Sequence, residues 1–200
     1  MSDDEGYISS WSIDDIGPHT DVMRRKYDVF LSFRGEDTRA SFTSHLSASL
    51  RNSGFAIFKD DHSLQRGDNI STSLIHAIED SSISVIVFSK NYADSRWCLH
   101  ELMVIMECHR TIGQVVLPVF YDVDPSEVRH LKGEFGKSFI NLLNKISREE
   151  ESTLLGMGYD LLWRDEICEG SKAMIQKRRD ALHAAGGLAG FVVLNSRLFI

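Results

Sequence analysis

The sequence contains few cysteines, and their spacing is not that of a disulfide framework or a metal site. Cys98, Cys108 and Cys168 are the three cysteines among 200 residues, and no two of them form a CxxC pair. An odd number of widely separated cysteines is typical of reduced thiols, which argues against a disulfide-stabilised secreted domain. The eight histidines show no HExxH-type spacing. The pattern therefore predicts no metal centre, and it shows no legible Ser-His-Asp triad.

Long apolar runs and a basic N-terminus are also missing. The chain starts MSDDEGYISSWSIDDIG, which is acidic where a signal peptide needs positive charge followed by an apolar segment. No apolar stretch approaches the roughly 18 residues that a membrane helix needs. These absences predict a cytoplasmic or nuclear location and no membrane partner.

An excess of positive charge is absent as well. The net charge is -7 and the pI about 5.6, which argues against a nucleic-acid surface as the main purpose and gives nucleic-acid processing no support. The hydrophobic fraction of 42% is ordinary for a globular protein. The length suits one domain, which we place at residues 26–200, after a polar acidic leader (residues 1–25) that we expect to be disordered.

Apolar segments alternate with amphipathic ones along this domain. The pattern predicts five strands, at residues 26–33, 55–58, 83–89, 114–123 and 190–196. Each of the four segments between them contains a helical pattern. Residues 148–173, in the last of these segments, are not placed by the pattern. Such alternation predicts an α/β fold: a parallel sheet with helices on both faces. For five strands the flavodoxin-like order 2-1-3-4-5 is the natural candidate.

In that fold, ligands bind at the carboxyl ends of the strands, where the strand order reverses between strands 1 and 3. RGEDTR (34–39) follows strand 1, and KNYADSRWCLHEL (90–102) follows strand 3. Trp97 and Glu101 are four residues apart, so on a helix their side chains share one face at this crevice. The alternative is an amphipathic helix in which Glu101 simply points to water.

The RGEDTR segment has the composition of an anion-binding turn. Gly35 allows a close backbone approach, the following helix start offers unpaired N–H groups, and Arg34 and Arg39 offer forked cationic donors. The alternative is a structural turn in which Asp37 or Thr38 caps a helix and the arginines pair with acidic neighbours. A magnesium-dependent receiver is excluded, since strand 1 ends Ser-Phe-Arg rather than in acidic residues.

One carboxylate beside an aromatic ring suits cleavage of a bond whose leaving group is already cationic. Ordinary glycosidases need two carboxyl groups because the leaving alcohol must be protonated. Nicotinamide departs from NAD+ as a neutral base, so one carboxylate that stabilises the developing oxocarbenium ion would suffice. The pattern permits this reaction without identifying it.

Four motifs together resemble the plant Toll/interleukin receptor (TIR) domains of disease-resistance proteins. They are YDVFLSFRGEDTR, NYADSRWCLHEL, VLPVFYDVDPSEVR and RDALHAAGGLAG, in order between about residues 27 and 195. The resemblance implies a flavodoxin-like fold and cleavage of NAD+ or NADP+ to nicotinamide and ADP-ribose or its cyclic variants. It also implies a role in innate immune signalling and cell death, with no tightly bound cofactor and NAD+ as substrate.

The resemblance also assigns roles to individual residues. Glu101 matches the catalytic glutamate and Trp97 the active-site tryptophan, and Gly67 lies in a loop that covers the site. The nucleotide-contacting loop matches a run of six residues: Arg34, Gly35, Glu36, Asp37, Thr38 and Arg39. Activity in the family requires self-association, and one family interface matches Ser44 and His45. The implied partners are a second copy and other TIR or resistance proteins.

The chain departs from the family pattern at two places. Arg178-Arg179 stands where a Trp-Arg pair usually opens the last helix, and residues 148–173 form a stretch longer than usual, which we interpret as an insertion. Both departures concern the oligomer interface more than the crevice. They leave open a second interpretation, a TIR adaptor that binds other TIR domains without catalysis. The length fits either a TIR-only protein or a truncated member of a larger resistance protein.

Overall fold

Five parallel strands form one sheet in the order β2-β1-β3-β4-β5. The computed structural model describes residues 25–59, 72–157 and 161–194. The strands are β1 (Tyr27–Phe33), β2 (Ile57–Lys59), β3 (Ser81–Phe88), β4 (Val115–Tyr121) and β5 (Phe191–Val193). The predicted flavodoxin-like order is confirmed.

Helices connect the strands. They are α1 (Gly35–Thr38), α2 (Phe42–Asn52), α3 (Thr72–Glu79), α4 (Arg96–Ile112), α5 (Pro125–His130), α6 (Gly133–Met157) and α7 (Leu161–Ala185). A short 3-10 turn, Tyr92–Asp94, lies between β3 and α4. Within the three described ranges, no helix combines the length and the apolar character needed to cross a bilayer.

The two faces of the sheet are covered unequally. On one face, Phe30, Ile86 and Phe88 belong to a large buried core that also takes in apolar side chains of α3, α4, α5, α6 and α7. On the other face, Val29, Leu31, Phe33, Val85, Val87 and Val119 form a smaller cluster, against which the α2 side chains Phe42, Leu46 and Leu50 pack. Helices therefore lie on both faces, as predicted.

Two segments differ from their prediction. Residues 34–39, expected to be a turn, contain the one-turn helix α1. In the stretch 148–173, which the pattern did not place, residues 148–157 form the end of α6 and residues 161–173 form the beginning of α7. Gly156, Gly158 and Gly170 interrupt the apolar spacing there, so periodicity did not reveal the helices. The insertion stays a prediction, and the leader (1–25) lies outside the described residues except for Arg25.

The register of β1 and β3 positions the crevice. Ser32 is paired with Ile86 and Phe33 with Val87, so the two strands end side by side. Since β1 also pairs with β2, the strand order reverses between β1 and β3. The segments that follow β1 and β3 therefore leave the sheet at the same edge, where the sequence placed the site.

Candidate functional site at the carboxyl edge of the sheet

Asp37 in α1 fastens the segment after β1 to the segment after β3. Its Oδ2 accepts hydrogen bonds from Ser89 Oγ at 2.6 Å and from the Asn91 backbone N–H at 3.1 Å. Its Oδ1 accepts from Arg34 Nη1 at 2.6 Å and from Asn91 Nδ2 at 3.3 Å. Four donors thus converge on one carboxylate, and they span the point where the strand order reverses.

The same contacts set the charge of Asp37. Burial raises the pKa of its carboxyl, but hydrogen bonds from Ser89, Asn91 and Arg34, with the Arg34 charge, outweigh burial and hold the pKa below its ordinary value. Asp37 is therefore ionised at neutral pH. Its nucleotide contact, implied by the resemblance, stays a prediction beside this observed structural role.

Arg34 behaves as expected for a structural turn, the second interpretation of RGEDTR, in which the arginines pair with acidic neighbours. Its guanidinium pairs with Glu36 and with Asp37, so acidic neighbours balance its charge. Neither Asp37 nor Thr38 caps α1, whose N-cap residue is Arg34 without a side-chain cap bond. Thr38 is buried, and its Oγ1 accepts a 2.7 Å hydrogen bond from Thr43 Oγ1, which ties α1 to α2.

Arg39 takes a different direction from Arg34. Its Cζ lies 5.5 Å from the centre of the Phe33 ring, and Lys59 Nζ lies 5.9 Å from the same centre. Its guanidinium folds over Gly35, where an added Cβ would come within 2.7 Å of Nη2. Two positive groups therefore lie near the same ring at the carboxyl end of β1, which is an arrangement that can attract an anionic ligand.

Helix α4 presents the aromatic and acidic side chains. Ser95 caps its N-terminus by accepting a 3.3 Å hydrogen bond from the Cys98 backbone N–H, and Gly113 ends it in the left-handed region at φ 66°. Trp97 is half-buried and lies one turn before Glu101 on the same helical face. The helix thus begins at the crevice with an indole surface and continues with a carboxylate.

Glu101 does not point to water. It is 7% exposed, and its Oε2 accepts a 2.6 Å hydrogen bond from Ser32 Oγ on β1. Ser32 Oγ also lies 2.9 Å from the Tyr92 hydroxyl, which donates a 3.0 Å hydrogen bond to the Cys98 carbonyl. The interpretation of Glu101 as a solvated helix residue is therefore wrong. A carboxylate in such surroundings can stabilise a nearby positive charge strongly, because few waters screen it.

The two described cysteines do not provide a nucleophile. Cys98 and Cys108 are buried free thiols. Burial, with the Glu101 charge, raises the pKa of Cys98, and burial, with the Glu79 charge, raises the pKa of Cys108. Both side chains therefore stay protonated and unreactive at neutral pH.

The remaining predicted residues are exposed at the surface or lie outside the described ranges. Ser44 and His45 are exposed on α2, as an interface pair must be. Gly67 lies outside the described residues. Glu36 is largely exposed and pairs with Arg34.

Sequence reasoning missed the hydrogen-bond donors of the site. Ser89 and Asn91 hold Asp37, and Ser32 holds Glu101. Their only sequence signal is position, since each occurs at or just after the carboxyl end of a buried strand. Lys59 carries no sequence signal of its own, and its approach to Phe33 required the fold.

The comparison with known families agrees with this architecture. The sequence model of the TIR domain matches residues 26–176. The chain belongs to the TIR domain family. Resistance protein RPV1 of Vitis rotundifolia is 46% identical over 171 residues, and the match covers 86% of this chain and 10% of that protein. TMV resistance protein N of Nicotiana glutinosa is 47% identical over 167 residues, covering 84% of this chain and 13% of that protein.

A solved structure agrees with the family assignment. The TIR domains of the activated Roq1 resistosome, described as directly recognizing the pathogen effector XopQ, match with a TM-score of 0.60 and 42% identity. The match covers 84% of this TIR domain chain and 87% of that chain. The TIR chain described here spans only about a tenth of the length of the two resistance proteins.

Proposed function

We propose that this TIR domain is an NAD+ nucleosidase that acts in plant innate immune signalling and is active on self-association. The observation that carries the proposal is the Glu101 carboxylate, which is buried at the switch-point edge against Ser32 with Trp97 one turn away. Glu101 is the proposed catalytic residue. NAD+ or NADP+ is the substrate, and no tightly bound cofactor is needed.

The reaction needs only one carboxylate. The bond between ribose C1′ and the nicotinamide nitrogen breaks, and its electron pair leaves with the neutral nicotinamide. Glu101 contacts the ribose hydroxyls and stabilises the oxocarbenium ion. Water then adds to C1′ and loses a proton, which gives ADP-ribose; capture by a nucleophile within the product itself gives a cyclic variant. Stabilisation of developing charge by such fixed groups is often the largest catalytic contribution.

The other groups of this edge bind the rest of the substrate. The half-buried indole of Trp97 offers a flat surface for stacking on a planar ring. Arg39 and Lys59, both near the Phe33 ring, attract the diphosphate. Arg34 contributes less to this attraction than the sequence suggests, since Glu36 and Asp37 balance its charge.

The comparisons support the biological part of the proposal. Two similar proteins are disease-resistance proteins, and a similar structure is the TIR part of an activated resistosome. We therefore propose that this domain also assembles through TIR–TIR contacts, with copies of itself or with other resistance proteins. An assembled domain without turnover would instead be an adaptor in the same signalling.

The experiment that tests the proposed function is direct. Purified protein at high concentration, with a crowding agent to promote assembly, is incubated with NAD+ or NADP+. Products are identified by mass spectrometry, and a known active plant TIR domain serves as the positive control. Release of nicotinamide supports the nucleosidase. Intact NAD+ beside an active control, with self-association shown by light scattering, would favour the adaptor.

The double substitution Ser44→Ala/His45→Ala is expected to weaken both self-association and NAD+ turnover. Both side chains are exposed on α2, so the fold should be preserved. Sedimentation and NAD+ consumption are measured over a range of protein concentrations. Ser49→Ala, an exposed change on the same helix, is the matched control. Turnover that stays at the wild-type level would remove the interface assignment.

Gly35→Ala is expected to raise KM for NAD+ several-fold while the melting temperature changes little. The new Cβ would lie 2.7 Å from Nη2 and 2.8 Å from Nε of Arg39, so this flexible side chain must leave its place over Gly35. Gly170→Ala is the matched control, because its added Cβ would point into open space. An unchanged KM for Gly35→Ala would show that the position of Arg39 does not matter for substrate binding.

A further inference from the structure

We propose that Ser32 and Tyr92 are positioning residues that hold the Glu101 carboxylate in its reactive orientation, an inference that rests on the function proposed above. Three polar contacts form a chain from Glu101 Oε2 through Ser32 Oγ and the Tyr92 hydroxyl to the Cys98 carbonyl, at 2.6, 2.9 and 3.0 Å. The participating groups come from β1, the 3-10 turn and α4. The chain therefore joins three of the elements that build the crevice.

The direction of the hydrogen bonds follows from the number of protons. Ser32 Oγ donates to Glu101 Oε2, and this bond uses the single hydroxyl proton of Ser32. The contact between Ser32 and Tyr92 then needs its proton from Tyr92, which shares it between Ser32 and the Cys98 carbonyl. Burial raises the pKa of Tyr92, and the nearby Cys98 and Glu101 raise it further, so the phenol keeps this proton. Tyr92 thus supports Ser32, and Ser32 donates to Glu101.

Burial makes this chain rigid. Ser32 and Tyr92 are both 0% exposed, and the Tyr92 ring packs edge-on against Phe88 with 5.0 Å between the ring centres. Neither hydroxyl can exchange its partner for bulk water without opening the core. A buried hydroxyl without a partner is unfavourable, so the network favours one orientation of the carboxylate.

A fixed carboxylate matters more for the transition state than for substrate binding. Charge develops on the ribose ring only as the nicotinamide bond breaks, and a carboxylate that must first reorient stabilises that charge poorly. Ser32→Ala is therefore expected to lower kcat about 10- to 100-fold while KM changes little. Tyr92→Phe keeps the ring and removes the supporting donor, so its kcat should fall less, about fivefold.

The matched control is Ser84→Ala. Ser84 is also a fully buried strand serine, on β3, but its hydroxyl donates to Gln114 Oε1 at 3.1 Å, away from the crevice. It reproduces the loss of a buried serine hydroxyl without touching Glu101. We expect Ser84→Ala to change stability while kcat stays near that of the wild type.

A spectroscopic readout separates this inference from the proposed function. In protein labelled with 13C at the glutamate carboxyl carbon, the resonance of Glu101 is assigned by its loss in Glu101→Gln. We expect that resonance to shift in Ser32→Ala and Tyr92→Phe and to remain in place in Ser84→Ala. This result does not depend on turnover, so it stands even if the wild type leaves NAD+ intact.

Two outcomes would overturn the inference. One is an unmoved Glu101 resonance in both Ser32→Ala and Tyr92→Phe. The other is a kcat of Ser32→Ala within twofold of that of Ser84→Ala in an active protein. If Ser32→Ala does not fold, Tyr92→Phe decides both measurements, because it keeps the buried ring. Absence of nicotinamide release from the wild type would count against the proposed nucleosidase alone.

Discussion

Replacing Glu101 with Gln is expected to lower NAD+ consumption about 10²–10³-fold while the protein stays folded. Gln has the shape of Glu, and its amide oxygen can still accept the hydrogen bond that Ser32 Oγ donates at 2.6 Å. The negative charge is lost, and with it the stabilisation of the oxocarbenium ion. Nicotinamide release measured by mass spectrometry at high protein concentration, beside a thermal melt, gives both quantities.

Glu107→Gln is the matched control for this change. Glu107 lies on the same helix, α4, but it is exposed and pairs with Arg110 one turn away. Removing an exposed ion pair has little effect on stability. Because Glu107 does not contact the crevice residues, turnover should match the wild type. If Glu101→Gln and Glu107→Gln consume NAD+ equally fast, another group performs the reaction. If all three proteins assemble and none of them consumes NAD+, the adaptor is the better interpretation.

Of the substitutions that keep side-chain size, Asp37→Asn is expected to lower the free energy of unfolding the most. Each oxygen of the Asp37 carboxylate accepts two hydrogen bonds. In either orientation of an asparagine amide, its NH2 group would face two donors. A hydrogen bond to a charged group contributes about 1.5–3 kcal/mol. We therefore expect a lower free energy of unfolding in urea and faster hydrogen exchange at the Asn91 amide.

The effect of Asp37→Asn should depend on pH in a defined direction. The folded state lowers the pKa of Asp37, so its ionised form contributes stability above the ordinary aspartate pKa of about 3.9. That contribution is lost as the pH falls through the lower pKa of the folded state. The difference in unfolding free energy between wild type and variant should therefore be largest near neutral pH and shrink in acid.

Asp124→Asn provides the control for the Asp37 experiment. Asp124 caps α5 by accepting a 2.7 Å hydrogen bond from the Ser126 backbone N–H, and asparagine is an equally good cap. We expect its unfolding free energy to stay near that of the wild type at neutral pH. If Asp37→Asn behaves in the same way, the four contacts do not hold the two segments together.

The predictable part of the site was its location. Buried strands alternating with helical segments predict a parallel sheet, and the strand order then fixes which two segments meet at the switch point. Spacing alone places Trp97 and Glu101 on one helical face there. Spacing did not predict the roles of these residues. The proposed roles of the Glu101 carboxylate and the Trp97 indole come from the family resemblance.

The donors around the carboxylates were not predictable in the same way. Ser32 and Glu101 are 69 residues apart, and Asp37 and Ser89 are 52 apart. Serine occurs throughout the chain, and no local pattern marks the ones that face a carboxylate. The sequence also did not predict that the side chains of Arg34 and Arg39 take different directions. The anion-binding turn and the structural turn both use the same six residues of RGEDTR.

The sequence by itself determined the fold class, the strand order and the edge of the sheet at which the candidate site lies. These follow from hydrophobic periodicity and from the rules of parallel connections, which act over short stretches of chain. Only the tertiary structure decided which hydroxyls hold Asp37 and Glu101, which arginine lies over Phe33, and where α6 ends and α7 begins. The physical reason is that a hydrogen bond or ion pair depends on distances of a few ångströms between elements far apart in the chain, and packing of the whole core sets those distances.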